Sequence, residues 1–136
     1  MEDELLLVVL QRATHVTLQV LGTELADLGL TASELNVLAN LADGRGRTVT
    51  ELGVAAGVRP TTLTGVLDRL EQKGHITRAP RPGDRRAVEI SLTSAGVKSA
   101  ARVQRAFAEV EERALAGIAA GSVKQARRVL AALGAV

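Results

Sequence analysis

The sequence contains no cysteine, tryptophan or tyrosine, and Phe107 is its only aromatic residue. Without cysteine the chain cannot form disulfides, thiolate nucleophiles or zinc–thiolate sites. The two histidines, His15 and His75, are too few for an all-histidine metal site, so we expect no bound metal. Proteins that stack single-stranded nucleic acid on aromatic rings are excluded as well, because the chain offers almost no rings.

A long uninterrupted apolar segment is also missing. The apolar run at residues 5–10 follows three acidic residues and ends at Gln11. A membrane span needs about 20 apolar residues, and a secretory signal begins with positive charge. We therefore expect a cytoplasmic protein without membrane association. There is no nucleophile–base pair, carboxylate dyad or phosphate-binding glycine loop, so we expect neither enzymatic activity nor a cofactor.

What is present is a globular, aliphatic composition. Of the 136 residues, 46% are hydrophobic and 24% are charged, which is sufficient for one core. The net charge is only +2, but it is unevenly distributed. Residues 73–86 contain five lysines and arginines against one acid, whereas residues 1–34 contain six acids against one arginine. The positive charge is thus concentrated in one short segment.

Helical periodicity is clear at both ends of the chain. Apolar residues at steps of three and four predict an amphipathic helix over residues 4–28. Its first turns are apolar on every side, which indicates burial against a partner chain or, alternatively, within the protein's own core. A long helix is predicted over residues 93–117. Capping-box patterns predict the starts of three more helices, at residues 31–42, 48–56 and 122–133.

Residues 59–74 form the centre of the pattern. Pro60 at the first helical position and Gly74 at the end delimit a helix. Only two residues separate it from the helix before, as in a helix-turn-helix. Two alternating β-like runs, 75–78 and 87–92, follow, with a basic turn at 80–86. We predict a mostly α (α+β) fold: a winged helix-turn-helix with six helices and a two-stranded β-wing.

This layout covers essentially the whole chain and resembles the MarR family of bacterial transcription regulators. The resemblance is carried by the sequences at residues 30–38, 60–64 and 66–74, by Arg78, and above all by Gly-Asp-Arg-Arg-Ala-Val at 83–88 leading to Leu-Thr-Ser-Ala-Gly at 92–96. The wing sequence with its Leu-Thr-x-x-Gly exit is the most specific part. The resemblance implies a homodimer in which residues 1–28 and 94–136 associate, while residues 31–93 bind double-stranded DNA.

The candidate DNA contacts lie in the second helix of the helix-turn-helix and in the wing. They are Arg59, Pro60, Thr61, Thr62, Thr64, Arg69, Lys73, Arg78, Arg81, Arg85 and Arg86. Threonine hydroxyls can bond bases or phosphates, and the resemblance implies that Arg85 enters the minor groove. We interpret the other wing and helix cations as phosphate contacts or intra-wing pairs. The resemblance also implies that Asp84 pairs with a nearby arginine and holds the wing's shape.

One residue departs from the family pattern. Gly65 stands where many members carry a long polar side chain, so we expect little direct base reading from this helix and a larger share of shape readout through the wing.

Family members often bind small effectors, such as aromatic acids or phenols, between the dimer helices and the DNA-binding lobe. Arg12, His15, Gln19 and Asn36 are the candidates for such a site, and exposed or interfacial polar residues are the alternative interpretation. The predicted function is a homodimeric regulator, a repressor acting at a pseudo-palindromic operator and released by a small molecule. Three alternatives stay open: a winged-helix module for protein–protein contact, an activator, and a regulator without an effector.

Overall fold

The computed structural model describes residues 2–136. Its helices are α1 (Leu6–Glu24), α2 (Ala32–Leu41), α3 (Val49–Ala56), α4 (Pro60–Gln72), α5 (Ser94–Ala114) and α6 (Ala120–Gly134), with a short 3₁₀ turn at Ala26–Leu28. The strands are β1 (Arg47–Thr48), β2 (Ile76–Arg81) and β3 (Asp84–Leu92). The prediction of a mostly helical winged helix-turn-helix with six helices is confirmed for the described residues.

Two of the three predicted capping boxes are present. The Thr31 hydroxyl accepts a hydrogen bond from the Glu34 N–H at 3.2 Å, and the Glu34 carboxylate accepts one from the Thr31 N–H at 2.9 Å. Thr48 and Glu51 form the same reciprocal pair at the start of α3. These bonds satisfy backbone donors that have no partner inside the helix.

The third predicted capping box is wrong. Helix α6 begins at Ala120 without a side-chain cap, so Ser122 and Gly121 lie inside its first turn. The tight turn after α5 places the Ala119 carbonyl where it accepts from the N–H groups of Ser122 and Val123. Backbone geometry therefore starts this helix two residues earlier than the side-chain pattern indicates, and glycine is tolerated there at a cost of about 1 kcal/mol.

The wing is longer than predicted, and its sheet has a third strand. The sheet order is β1-β3-β2, all antiparallel, and most of the predicted turn at 80–86 is strand. Pro80 pairs with Val88 on the outer strand, where a missing N–H is tolerated. The chain reverses at Gly83, whose φ of 81° favours glycine. Strand β1, only two residues long, is too short to produce a recognisable alternation.

An aliphatic core supports the helix-turn-helix. The almost fully buried apolar side chains include Leu35, Val37, Leu38, Leu41, Leu52, Leu63, Val66, Leu67, Leu70, Ile76, Ile90, Ala100 and Val103. They come from helices α2 to α5 and from the two long strands. Burial of this apolar surface fixes the inner face of α4 and leaves its other face exposed.

The start of α5 packs directly on the turn between α4 and β2. The Thr93 hydroxyl donates to the Gly74 carbonyl at 2.6 Å and accepts from the Gly96 N–H at 3.0 Å. A Cβ atom on Gly96 would overlap the backbone carbonyl of His75. The Leu-Thr-x-x-Gly pattern is therefore explained by a cap and by a close backbone approach, and both anchor the base of the wing.

Helices α1 and α6 are only weakly covered by the rest of the chain. Helix α6 has no buried residue, and Leu21 is the only buried residue of α1. Large apolar side chains on both helices are exposed, among them Leu5, Leu6, Leu7, Val8, Val16, Val129 and Leu130. Among residues 2–136, none of the helices combines the length and the apolar character that crossing a membrane requires.

Candidate nucleic-acid interface

The helix-turn-helix is formed by α3, a tight turn and α4. The Val58 N–H donates to the Gly53 carbonyl at 2.9 Å, which closes the turn after α3. Arg59 is the N-cap residue of α4 and Pro60 its first helical residue, as predicted. The buried side chains of α4 lie on one face, so its first turn and outer face are presented to solvent.

The first turn of α4 carries exposed hydroxyl groups. Thr61, Thr62 and Thr64 are all exposed. The Thr64 hydroxyl donates to the Pro60 carbonyl at 2.9 Å, which leaves its lone pairs available as an acceptor. Within residues 2–136 the other two hydroxyls have no side-chain hydrogen bond. The surface can therefore donate and accept hydrogen bonds without first breaking an ion pair.

Lys73 binds groups of its own chain. Its ammonium donates to both carboxylate oxygens of Glu34 at 2.9 Å and to the Gly29 carbonyl at 3.2 Å. Glu34 is completely buried. If the Lys73 ammonium left this site, the buried Glu34 carboxylate would have no counter-charge, which costs free energy. The structure therefore favours an internal role for Lys73, linking α4 to α2, over the predicted phosphate contact.

Two wing arginines are also paired within the chain. Arg78 on β2 donates to Asp68 on α4 at 2.5 Å. Arg81 donates to Glu89 on β3 at 2.8 Å and also pairs with Glu51 on α3. These contacts connect the wing to both helices of the helix-turn-helix. The Arg81–Glu89 contact is an intra-wing pair of the predicted kind, whereas the contacts with Asp68 and Glu51 reach helices outside the wing.

The ion pair with Arg81 changes the pKa of Glu51. The hydrogen bond from Arg81, together with the backbone N–H of Thr48, lowers the pKa of Glu51 to about 2. The same contact, reinforced by Glu89, raises the pKa of Arg81. Glu51 therefore stays ionised at neutral pH while it caps α3 and holds the wing.

The tip of the wing carries free positive charge. Arg85 and Arg86 are exposed, and in the described part of the chain neither guanidinium forms an ion pair. The prediction that Asp84 pairs with an arginine side chain is wrong. Its carboxylate instead accepts the backbone N–H of Arg86 at 3.1 Å. Asp84 thus shapes the turn through the backbone, which leaves both tip guanidinium groups unoccupied.

Comparison with known proteins agrees with this geometry. Residues 28–87 match the sequence model described as the MarR family. An HTH-type transcriptional repressor of Mycobacterium bovis is 31% identical over 110 residues, which are 81% of this chain and 79% of that protein. The chain belongs to the MarR family. This relative shares sequence with the chain over most of the chain's length.

Two further comparisons cover less of the sequence or show the fold alone. The repressor MdtR of Bacillus subtilis is 40% identical over 68 residues, which are 50% of this chain but only 44% of that protein. The crystal structure of CouR from Rhodococcus jostii, bound to p-coumaroyl-CoA, superposes with a TM-score of 0.85. It is 24% identical, and the superposition covers 93% of this chain and 89% of CouR. CouR thus shares the fold of this chain over most of its length.

A cavity of about 340 Å³ lies between α1, α2 and α5 of this MarR-family chain. It is lined by Thr14, Thr17, Leu18, Leu21, Ala32, Ser33, Asn36 and Phe107. None of these side chains is charged. The amide of Asn36 donates to the Ala56 carbonyl at 3.1 Å, so this residue also contacts the end of α3.

Of the four predicted effector contacts, only Asn36 lines this cavity. Arg12 pairs with Glu4, at 2.6 and 3.0 Å, and neither His15 nor Gln19 reaches the cavity wall. Helical geometry explains the difference, because positions 14, 17, 18 and 21 share the inner face of α1 and the predicted residues lie beside it. The sequence signals that could have located the wall are this threonine and leucine spacing and the single aromatic residue, Phe107.

Proposed function

We propose that the protein is a homodimeric repressor that binds a pseudo-palindromic duplex DNA site in the cytoplasm and does not catalyse a reaction. Residues 31–93 are the DNA-binding lobe, and residues 1–28 and 94–136 form the dimer. One observation carries the proposal. Arg78 and Arg81 attach the wing to α4 and α3, while among residues 2–136 the guanidinium groups of Arg85 and Arg86 at its tip form no hydrogen bond or ion pair.

The geometry fits duplex DNA. A helix about 10–12 Å across enters the major groove, and the first turn of α4 offers hydroxyls and free N–H groups to bases and phosphates. An arginine at the wing tip is attracted to a narrow A·T-rich minor groove. Two lobes related by a twofold axis read half-sites about 34–36 Å apart.

A second copy of the chain is the partner that best explains the exposed apolar surface. Helix α6 buries none of its residues within its own chain, although Val129 and Leu130 form an apolar stripe on it. Charge supports pairing of α6 with the start of α1 in another copy. Glu2 and Asp3 are acidic and exposed, whereas α6 carries Lys124, Arg127 and Arg128.

The cavity supports release by a small molecule. CouR, which shares this fold, was crystallised with p-coumaroyl-CoA. Asn36 contacts both the cavity and the Ala56 carbonyl at the end of α3, so a ligand bonded to its amide changes the contact that positions the helix-turn-helix. Such a ligand acts by favouring one arrangement of the lobes over another. The lining offers a ligand apolar contacts, hydroxyl groups and an amide.

The test of DNA binding is a titration with an operator selected from a random duplex library. Arg85→Ala is expected to weaken binding to the selected operator by roughly 1–3 kcal/mol, because it removes the minor-groove contact. Arg105→Ala, which removes an exposed arginine from α5 at a distance from the wing in sequence and fold, is the control and is expected to bind like the parent protein.

Two outcomes would contradict the proposal in different ways. Equal affinity of the Arg85→Ala variant and the parent would remove the wing from DNA recognition. Failure of the parent protein to bind random duplex with a steep salt dependence would favour the protein–protein module instead, since neutralised phosphates always release counterions.

A further inference from the structure

The exposed face of α4 has a gap at Gly65. At 3.6 residues per turn, Gly65 lies on the side of the helix opposite the buried Leu63, Leu67 and Leu70. It is therefore at the centre of the surface that faces a DNA groove when the inner face packs on the core. A side chain at this position would point at the floor of the groove, but glycine has none.

The guanidinium of Arg69 occupies this gap. A Cβ atom built on Gly65 would lie 3.6 Å from Nη1 of Arg69 and would contact no other side chain within 4 Å. Long helical side chains lean toward the N-terminus of their helix and cover the preceding turn. Arg69 thus places its charge one turn before its own Cα, over the centre of the exposed face.

Arg69 is also free to bind. It is exposed, and throughout residues 2–136 its side chain has no hydrogen bond or ion pair. Its charged neighbours differ from it in this respect. Lys73 is held by the buried Glu34, and Asp68 is neutralised by Arg78. Arg69 is therefore the cation on the outer face of α4 that can reach DNA without breaking an internal pair.

We propose that Arg69 reads a guanine base in the major groove across the space left by Gly65. This inference rests on the proposed DNA-binding function and assigns one specificity contact within it. The planar guanidinium fork matches the O6 and N7 acceptors of guanine. Phosphates lie at the rims of the groove, whereas the observed guanidinium lies over the middle of the reading face. Arg69, one helical turn after Gly65, thus supplies the direct base contact that Gly65 cannot make.

The experiment uses the selected operator with single guanines replaced by 7-deazaguanine, which removes the N7 acceptor and keeps the base pair and the phosphates. The parent protein is expected to lose about tenfold in affinity at one guanine in each half-site. Arg69→Ala is expected to bind the unmodified operator about 10–100-fold more weakly and to show no further loss on deazaguanine. Arg86→Ala is the matched control and is expected to keep the deazaguanine effect.

A second pair of variants separates the reading role from stability. Gly65→Ala adds a methyl group at an ordinary contact distance from Arg69, so it is expected to retain the deazaguanine effect. Gly65→Leu fills the space and is expected to abolish that effect although Arg69 is still present. Both substitutions replace glycine in a helix by a better helix former, so misfolding is not expected to account for the loss.

Two other results would contradict the inference about Arg69 or the proposed function. If Arg69→Ala weakens all duplexes equally, lowers the salt slope by about 1 and keeps the deazaguanine effect, Arg69 is a phosphate contact and the inference is wrong. If the parent protein binds no duplex in a salt-dependent manner, the proposed function itself fails. The two failures are distinguishable, because the parent protein still binds duplex DNA in the first case and does not in the second.

Discussion

At the scale of single residues, Glu34 has an unusual environment. It is the only charged side chain buried in the described part of the chain, and it serves both the α2 capping box and the contact to Lys73. Burial by itself would raise its pKa, but the hydrogen bonds from Lys73 and Thr31 outweigh this effect and lower the pKa. The carboxylate is therefore ionised at neutral pH and joins α2 to the end of α4.

Replacement of this acid by its amide tests the connection. Glu34→Gln is expected to lower the free energy of unfolding by about 2 kcal/mol, because the amide can still accept from Thr31 but leaves Lys73 without a counter-charge. Urea unfolding measures the change. Glu112→Gln, on an exposed face of α5, is the control and is expected to stay within about 0.5 kcal/mol.

The pH dependence of this effect has a definite sign. The pKa of Glu34 is lower in the folded state than its ordinary value of 4.5. The stabilisation by the Glu34–Lys73 pair is therefore fully present above pH 4.5 and is lost as the pH falls through the folded-state pKa. The stability difference between the parent and Glu34→Gln should therefore shrink in acid. A difference that grows below pH 4.5, or no difference at neutral pH, would contradict the assigned role of the pair.

At the scale of secondary-structure elements, the wing is attached to the helix-turn-helix through Arg81. Its guanidinium bridges Glu89 on β3 and Glu51 on α3. Because the pKa of Glu51 is lowered to about 2, the contribution of this bridge is present above pH 4.5 and is lost only as the pH falls toward 2. Both partners of this bridge between the wing and α3 are thus charged over the whole neutral range.

A comparison of two arginines separates positioning from phosphate binding. Arg81→Ala is expected to weaken operator binding by about 1 kcal/mol through loss of wing position, with no change in the salt slope. Arg86→Ala removes a free cation and is expected to reduce the salt slope by about 1. Titrations at several salt concentrations measure both quantities. A reduced slope for Arg81→Ala would show that Arg81 neutralises a phosphate.

At the scale of the whole molecule, the apolar faces of α1 and α6 need a partner. Leucines and valines of both helices are exposed in the single chain. An apolar surface of this extent is typical of an association site. A twofold dimer brings the same surfaces together from both copies and sets the distance between the two α4 helices.

A charge placed in this surface tests the dimer. Leu130→Glu is expected to sediment as a monomer, because dimerisation would bury an unpaired carboxylate. Affinity for the full operator is expected to fall by about 100-fold, since the second half-site no longer binds as part of one molecule. Val54→Glu makes the same change at an exposed position of α3 and is expected to remain dimeric. A Leu130→Glu dimer would place the interface elsewhere.

Features whose causes lie within a few residues are predictable from the sequence. The capping boxes at Thr31 and Thr48 and the proline at the start of α4 are local, so their prediction required no knowledge of distant contacts. The same holds for the wing signature, which identified the family. The start of α6 was predicted wrongly because a backbone turn outside the pattern decided it.

Which cations are free depends on contacts between distant parts of the chain. An arginine or lysine is equally compatible with a phosphate and with a carboxylate, and its partner can be far away in sequence. Lys73 meets Glu34 from 39 residues away, and Arg81 meets Glu51 from 30 residues away. Arg69 has no such partner among residues 2–136 and lies over Gly65, so packing, and the pairs that packing makes possible, decide which cation of α4 is available for the proposed DNA contact.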